Sequence, residues 1–154
     1  MQESEREFHH KSAAECFNRA WDYLDKKDRT PRDDQLMLHL AHASRYHWSF
    51  VGTPMNLAVG DWQISRAYAA LGQSDLSLHF AKASLEIGEK NKLPEIVLTA
   101  YEAMARAYAS GKKYELAKEF IDKAKSQLQL LTLDEEDKKI YSGQISETEL
   151  MIKS

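Results

Sequence analysis

The tetrapeptide Arg-Ala-Tyr-Ala occurs at 66–69 and again at 106–109, and no other feature of this chain constrains its fold as tightly. Setting Tyr68 on Tyr108, a shift of 40 residues, also brings Leu76 onto Leu116 and Phe80 onto Phe120. Small residues coincide as well, Ser77 with Ala117 and Ser84 with Ala124. The matches fall on two successive helical patterns, so the repeating unit is a pair of helices and not one amphipathic stretch.

Apolar spacing along the chain predicts seven helices and no strand. Helix 1 is expected over about 4–27, where Ala13, Phe17, Ala20, Trp21 and Leu24 fall on one face. Asp28-Arg29-Thr30-Pro31 breaks that pattern, with Thr30 placed to cap helix 2 and Pro31 at its first position. Helix 2 runs to about 51, and Thr53-Pro54 opens helix 3 in the same way. Helix 3 stops at Gly72, Ser74 caps helix 4, and Asn91-Lys92-Leu93-Pro94 links it to helix 5. Gly111 marks the turn into helix 6, and Asp134 caps helix 7, which Gly143 weakens in its middle.

The second unit reads Tyr101-x2-Met104-Ala105-x2-Tyr108 and then Ala117-x3-Ile121. The first reads Asp61-x2-Ile64-Ser65-x2-Tyr68 and then Ser77-x3-Ala81. Over about 55–130 these units resemble the tetratricopeptide repeat (TPR) family, which has Trp-x2-Leu-Gly-x2-Tyr on its first helix and Ala-x3-Phe on its second. Ser65 and Ala105 replace the family's glycine, and the family's usual period is about 34 residues. The extra length is expected in the second helices and the linker before Pro94. Helix 1 carries an echo, since Ala13-x3-Phe17-x2-Ala20 mirrors Ala117-x3-Ile121-x2-Ala124.

The resemblance implies an all-α domain over 1–154, with antiparallel helix hairpins stacked as a short right-handed solenoid. Residues 1–53 would form a degenerate N-terminal hairpin, 54–92 and 93–130 the two repeats, and 131–154 a capping helix. In that family the first helices of the repeats line a concave groove, here helices 3 and 5. The face of helix 3 away from Ile64 and Tyr68 carries Val59, Trp62, Arg66 and Ala69, and that of helix 5 carries Thr99, Glu102, Arg106 and Ala109. Trp62, Arg66, Glu102 and Arg106 are therefore the candidate partner-binding residues, because arginine grips carboxylates bidentately and tryptophan offers rigid apolar area. The competing expectation is that Trp62 packs on helix 2 and the arginines form structural ion pairs.

Five histidines fall within the first 47 residues: His9, His10, His39, His42 and His47. His39 and His42 can share a helix face, but His47 points elsewhere and no His-Glu-x-x-His motif occurs, so no metal site is expected. His47 lies on the core stripe Leu36, Leu40, Ala43, His47, Val51. Asp61 lies on the inward stripe Leu57, Asp61, Ile64, Tyr68, Leu71. Both sit at similar distances from the turn at Thr53, and Gly60 permits close approach. His47 and Asp61 are therefore expected to lie near one another, as a buried polar pair or, alternatively, an acid–base dyad near Ser44, Tyr46 or Trp48.

The net charge of −3 and the interleaving of Lys112, Lys113, Lys118, Lys123 and Lys125 with Glu115, Glu119 and Asp122 argue against nucleic acid as a partner. Cys16 is the lone cysteine, which rules out an intrachain disulfide and cysteine-rich metal sites. The polar start, Met1 to Glu7, lacks the signature of a signal peptide, and no apolar run is of membrane length, so a cytoplasmic setting is expected. No phosphate loop, nucleophile elbow or dinucleotide fingerprint is present, and no cofactor is implied. The expected function is non-catalytic protein or peptide binding in the groove. The alternatives are a homodimerising structural module and an enzyme or metal protein centred on His47 and Asp61.

Overall fold

A computed structural model describes residues 1–152, and all seven elements among them are α-helices. They are α1 Glu3–Leu24, α2 Pro31–Val51, α3 Pro54–Ala70, α4 Ser74–Lys90, α5 Pro94–Ser110, α6 Tyr114–Leu130 and α7 Glu135–Ile152. The expected all-α class is correct. Residues 153 and 154 of the expected 131–154 cap lie outside the described residues. α7 runs unbroken through Gly143. No helix among the described residues is long and apolar enough to cross a membrane.

The helix starts follow from local chemistry. Thr30 accepts from the Asp33 backbone N–H while Asp33 accepts from that of Thr30, and Thr53 and Asn56 repeat the exchange at α3. Each such box satisfies donors that a helix start leaves unpaired, and the proline at the first position has no N–H to satisfy.

The ends of α3 and α5 show that the 40-residue register is structural. The Gln73 backbone N–H donates to the Tyr68 carbonyl at 2.9 Å and that of Gly72 to Ala69 at 3.1 Å. Forty positions later, Lys113 donates to Tyr108 at 2.9 Å and Lys112 to Ala109 at 3.0 Å. These are paired Schellman closures, and they put Gly72 at φ 72° and Lys112 at φ 61°. Gly111, next to that turn, has φ −92°; its role is close approach, since a Cβ there would lie 2.8 Å from Ser74 Oγ.

Sequence neighbours pack on one another throughout, while α3 also packs on α5 and α5 on α7. α1 touches α3 lightly, and α3 and α7 make no backbone approach to each other. The odd-numbered helices thus form one layer with α5 between α3 and α7. Tyr68 stacks on Phe80 with centroids 5.9 Å apart, and Tyr108 meets Phe120 at 5.5 Å, so matched residues fill matched gaps between the hairpin helices. Where α3 crosses α4, Ser65 Oγ donates to the Ser77 carbonyl at 2.8 Å and Ser77 Oγ to the Ser65 carbonyl at 2.9 Å. The equivalent positions in the next hairpin are Ala105 and Ala117, both fully buried.

Candidate functional site

α3 and α5 form the floor of a groove on the odd-numbered layer, with α1 along one side and α7 along the other. One cavity of about 350 Å³ is lined by Leu24 at the end of α1 and Asp25 just beyond it, Arg66, Ala69 and Ala70 of α3, Arg106 of α5, and Glu147 and Met151 of α7. A second, of about 180 Å³, lies about two turns toward the helix starts and is lined by Met55, Val59, Trp62, Glu95, Ile96, Thr99, Tyr141 and Gln144.

The first cavity has a specific charge arrangement. Arg106 Nε donates to Glu102 Oε2 at 3.1 Å, and its Nη2 donates to Glu147 Oε2 at 3.2 Å. Arg66 reaches the same two carboxylates at longer range, 3.8 Å to Glu102 and 3.9 Å to Glu147. The Thr148 hydroxyl donates to Glu102 Oε2 at 2.6 Å. Glu102 is therefore held from three sides and is only 1% exposed, whereas the Glu147 side chain is 62% exposed.

Arg66 carries the strain of this arrangement. Its Nη1 and the facing Glu102 Oε1 are both sealed from solvent with no hydrogen-bond partner. Burial, and then the Arg106 guanidinium, push the Arg66 pKa below the usual arginine value, against the pull of Glu102, Glu147 and Asp25. On its other side the guanidinium sits 5.5 Å from the Trp21 ring and 5.6 Å from Trp62, the geometry of a cation over aromatic faces.

The structure brings Arg66, Glu102 and Arg106 together as the repeat register requires, but two sequence expectations need correction. Trp62 is 9% exposed and packs with Trp21, Ala81, Ala103 and Met104, so it offers the groove an edge and not an open face. That packing is also not the helix 2 contact offered as the alternative, but the ion pairs which that alternative expected of the arginines are formed. Glu102 lies beneath the arginines as a brace, so it is not a groove-facing contact.

The expected His47–Asp61 pair is not formed. Asp61 is buried, as its stripe required, but its partner is Arg45, whose Nε donates to Oδ1 at 3.0 Å. Gly60 does provide the close approach, and it provides it to Arg45: a Cβ there would lie 2.8 Å from Arg45 Cδ. The long arginine stem reaches over the glycine from the flank of α2, a route that a helical stripe of apolar residues cannot reveal. Burial raises the Asp61 pKa, with Arg45 pulling the other way.

His47 instead meets His9 of α1, Nδ1 to Nδ1 at 2.9 Å, with His9 stacked on Phe50 at 4.2 Å. Burial and His9 push the His47 pKa down. His42 hydrogen-bonds the Tyr68 hydroxyl at 2.9 Å. Among the described residues no group of three or more His, Cys, Asp or Glu is arranged to hold a metal ion.

Glu147, Thr148 and Trp21 were missed from the sequence. A signal for Glu147 existed: α3, α5 and α7 begin at 54, 94 and 135, so α7 is nearly a third member of the same series. One residue out of step, Glu147 stands at the position of Arg66 and Arg106, with its charge reversed. Tyr141, on the same helix, donates to Glu95 at 3.2 Å, and its phenol is pushed up to about 12 by burial and by that carboxylate. No family model, no curated protein and no solved structure matches this chain.

Proposed function

We propose that this chain is a non-catalytic, TPR-like scaffold that binds a protein or peptide along the groove floored by α3 and α5. One observation carries the reading. Two guanidiniums from matched repeat positions, with side chains 12% and 13% exposed, converge at the edge of a cavity large enough for side chains of a partner. Buried or half-buried arginines beside tryptophan are the residues that dominate binding energy at protein interfaces. The groove holds two separate cavities, neither of them closed, which suits an extended segment better than a small molecule enclosed on all sides.

The acid–base reading is the weaker one. Asp61 is occupied by Arg45 and is separated from His47 by that pairing. Burial raises the Cys16 thiol pKa, which keeps it protonated and a poor nucleophile. A cytoplasmic setting accompanies the proposal, and the free thiol of Cys16 is compatible with it.

A homodimer is the second reading, and a different surface favours it. Phe8, Tyr46 and Phe50 are 61%, 60% and 41% exposed. They are joined through His9 and His47 into one aromatic patch on α1 and α2. Mass in solution that rises with concentration and falls back on Phe8→Ser substitution would favour it.

The groove is tested with an array of random short peptides, blocked at both ends, probed with wild type and with Thr99→Phe. Thr99 is half-buried and lines the smaller cavity, so phenylalanine fills the groove without removing core. The reading predicts captured peptides that Thr99→Phe loses. Equal capture by both folded proteins would contradict it.

A further inference from the structure

The two cavities differ in chemistry, and they lie along one track. The smaller is walled by Met55, Val59, Trp62 and Ile96, and the larger presents Arg66 and Arg106. Their lining residues are offset by about seven to nine residues along α3, α5 and α7, or roughly 10–14 Å of helical rise. Three or four residues of extended chain cover that distance.

A carboxylate already occupies the larger cavity. Glu147 touches both arginines, its side chain is 62% exposed, and among the described residues its ion-pair partners are these two arginines. Glu102, by contrast, is fixed by Thr148 and Arg106. The arginine pair thus holds one carboxylate that is built in and one that is exchangeable. Removing Glu147 leaves two guanidiniums facing one buried carboxylate and Asp25 at the rim, and takes from Nη2 of both arginines the carboxylate they meet. A partner's acidic side chain restores the lost ion pairs one for one.

Resting on the groove reading above, we infer that the partner is an extended segment carrying an apolar and an acidic side chain three or four residues apart. Its carboxylate displaces Glu147 from Arg66 and Arg106 while its apolar side chain enters the cavity beside Trp62. Glu147 is then an internal competitor that lowers affinity and screens out segments with no acidic group.

The test uses the blocked-peptide array with wild type, Glu147→Ala and Thr99→Phe, with thermal melting to verify folding. Blocked ends ensure that any selected carboxylate is a side chain. Alanine suits the middle of an exposed helix, so Glu147→Ala is expected to fold. The inference predicts that captured peptides share the apolar–acidic spacing and that Glu147→Ala binds them about three- to fivefold more tightly, the effect of removing one exposed ion pair. Glutamine in place of the peptide's acidic residue should abolish that gain. If Thr99→Phe loses peptides that show no acidic preference and no gain with Glu147→Ala, the inference fails and the groove reading survives. If Thr99→Phe changes nothing, both fail.

Discussion

Where α3 crosses α4, Ser65 and Ser77 exchange two hydrogen bonds, while the same positions where α5 meets α6 are Ala105 and Ala117. Tyr68–Phe80 and Tyr108–Phe120 then fill the same gap in both hairpins, and the same turn closes α3 and α5. The comparison separates what the fold demands from what it tolerates. It demands small volume at the crossing and a planar aromatic beside it. It tolerates hydroxyls there, because each hydroxyl finds the carbonyl of the opposite helix. The inward position three residues before the large aliphatic shows the limit of that tolerance. In the second hairpin Tyr101 packs against the Leu98–Ile121 cluster. In the first, Asp61 needs an arginine from α2.

The largest way to break the comparison is at Asp61. Arg45→Ala should cost about 3 kcal/mol at neutral pH by leaving a buried carboxylate unpaired, read as a lower urea midpoint. Its pH dependence has a definite sign. Because the folded pKa of Asp61 is raised above 3.8, the stability this group contributes is present below that value and is lost as pH rises through the folded pKa. The Arg45→Ala deficit should therefore shrink in acid, and Asp61→Asn should gain on wild type as pH rises from about 4 toward neutrality. A deficit equal at both ends of that range would show that Arg45 acts through packing alone.

Next in size, Ala105→Leu should cost about 2 kcal/mol by forcing apart a crossing with no spare volume. A cost near zero would mean that the second crossing is looser than its burial indicates. Ser65→Ala should cost about 1 kcal/mol, since the buried Ser77 carbonyl loses the hydroxyl that donates to it. The double change Ser65→Ala with Ser77→Ala, which converts the first crossing into the second, should cost less than the sum of the singles, as a double-mutant cycle would measure. Strict additivity would mean that the 3.2 Å contact between the two hydroxyls contributes nothing. Smallest, Lys112→Gly should stabilise by about 0.5–1 kcal/mol, because Gly72 already occupies the matched left-handed position. Thermal melting decides this, and any loss would mean that the lysine side chain contributes at that turn.

The sequence exposes most of the architecture because hairpin packing repeats its rules every 40 residues, so Ser77 and Ala117 or Phe80 and Phe120 announce equivalent places. Capping residues Thr30 and Thr53 locate helix starts for a similarly local reason. The candidate site is only half legible. Arg66 and Arg106 follow from the register, but Glu147 comes from a helix one residue out of step, and its opposite charge hides the correspondence. Arg45 escaped because a long side chain reaches Asp61 from the flank of α2, outside any apolar stripe. The His47–Asp61 expectation failed on that point: periodicity fixes which face a residue occupies but not which flexible neighbour crosses to meet it.

On the proposed function the odd-numbered layer binds, while α2, α4 and α6 only support it. The most direct measurement is a nuclear magnetic resonance titration of isotope-labelled protein with the tightest peptide from the array. Shifts are expected in the Nε–H signals of Arg66 and Arg106 and in the Trp62 indole N–H, with α2, α4 and α6 silent. Shifts confined to those even-numbered helices, or to the Phe8–Tyr46–Phe50 patch, would contradict it.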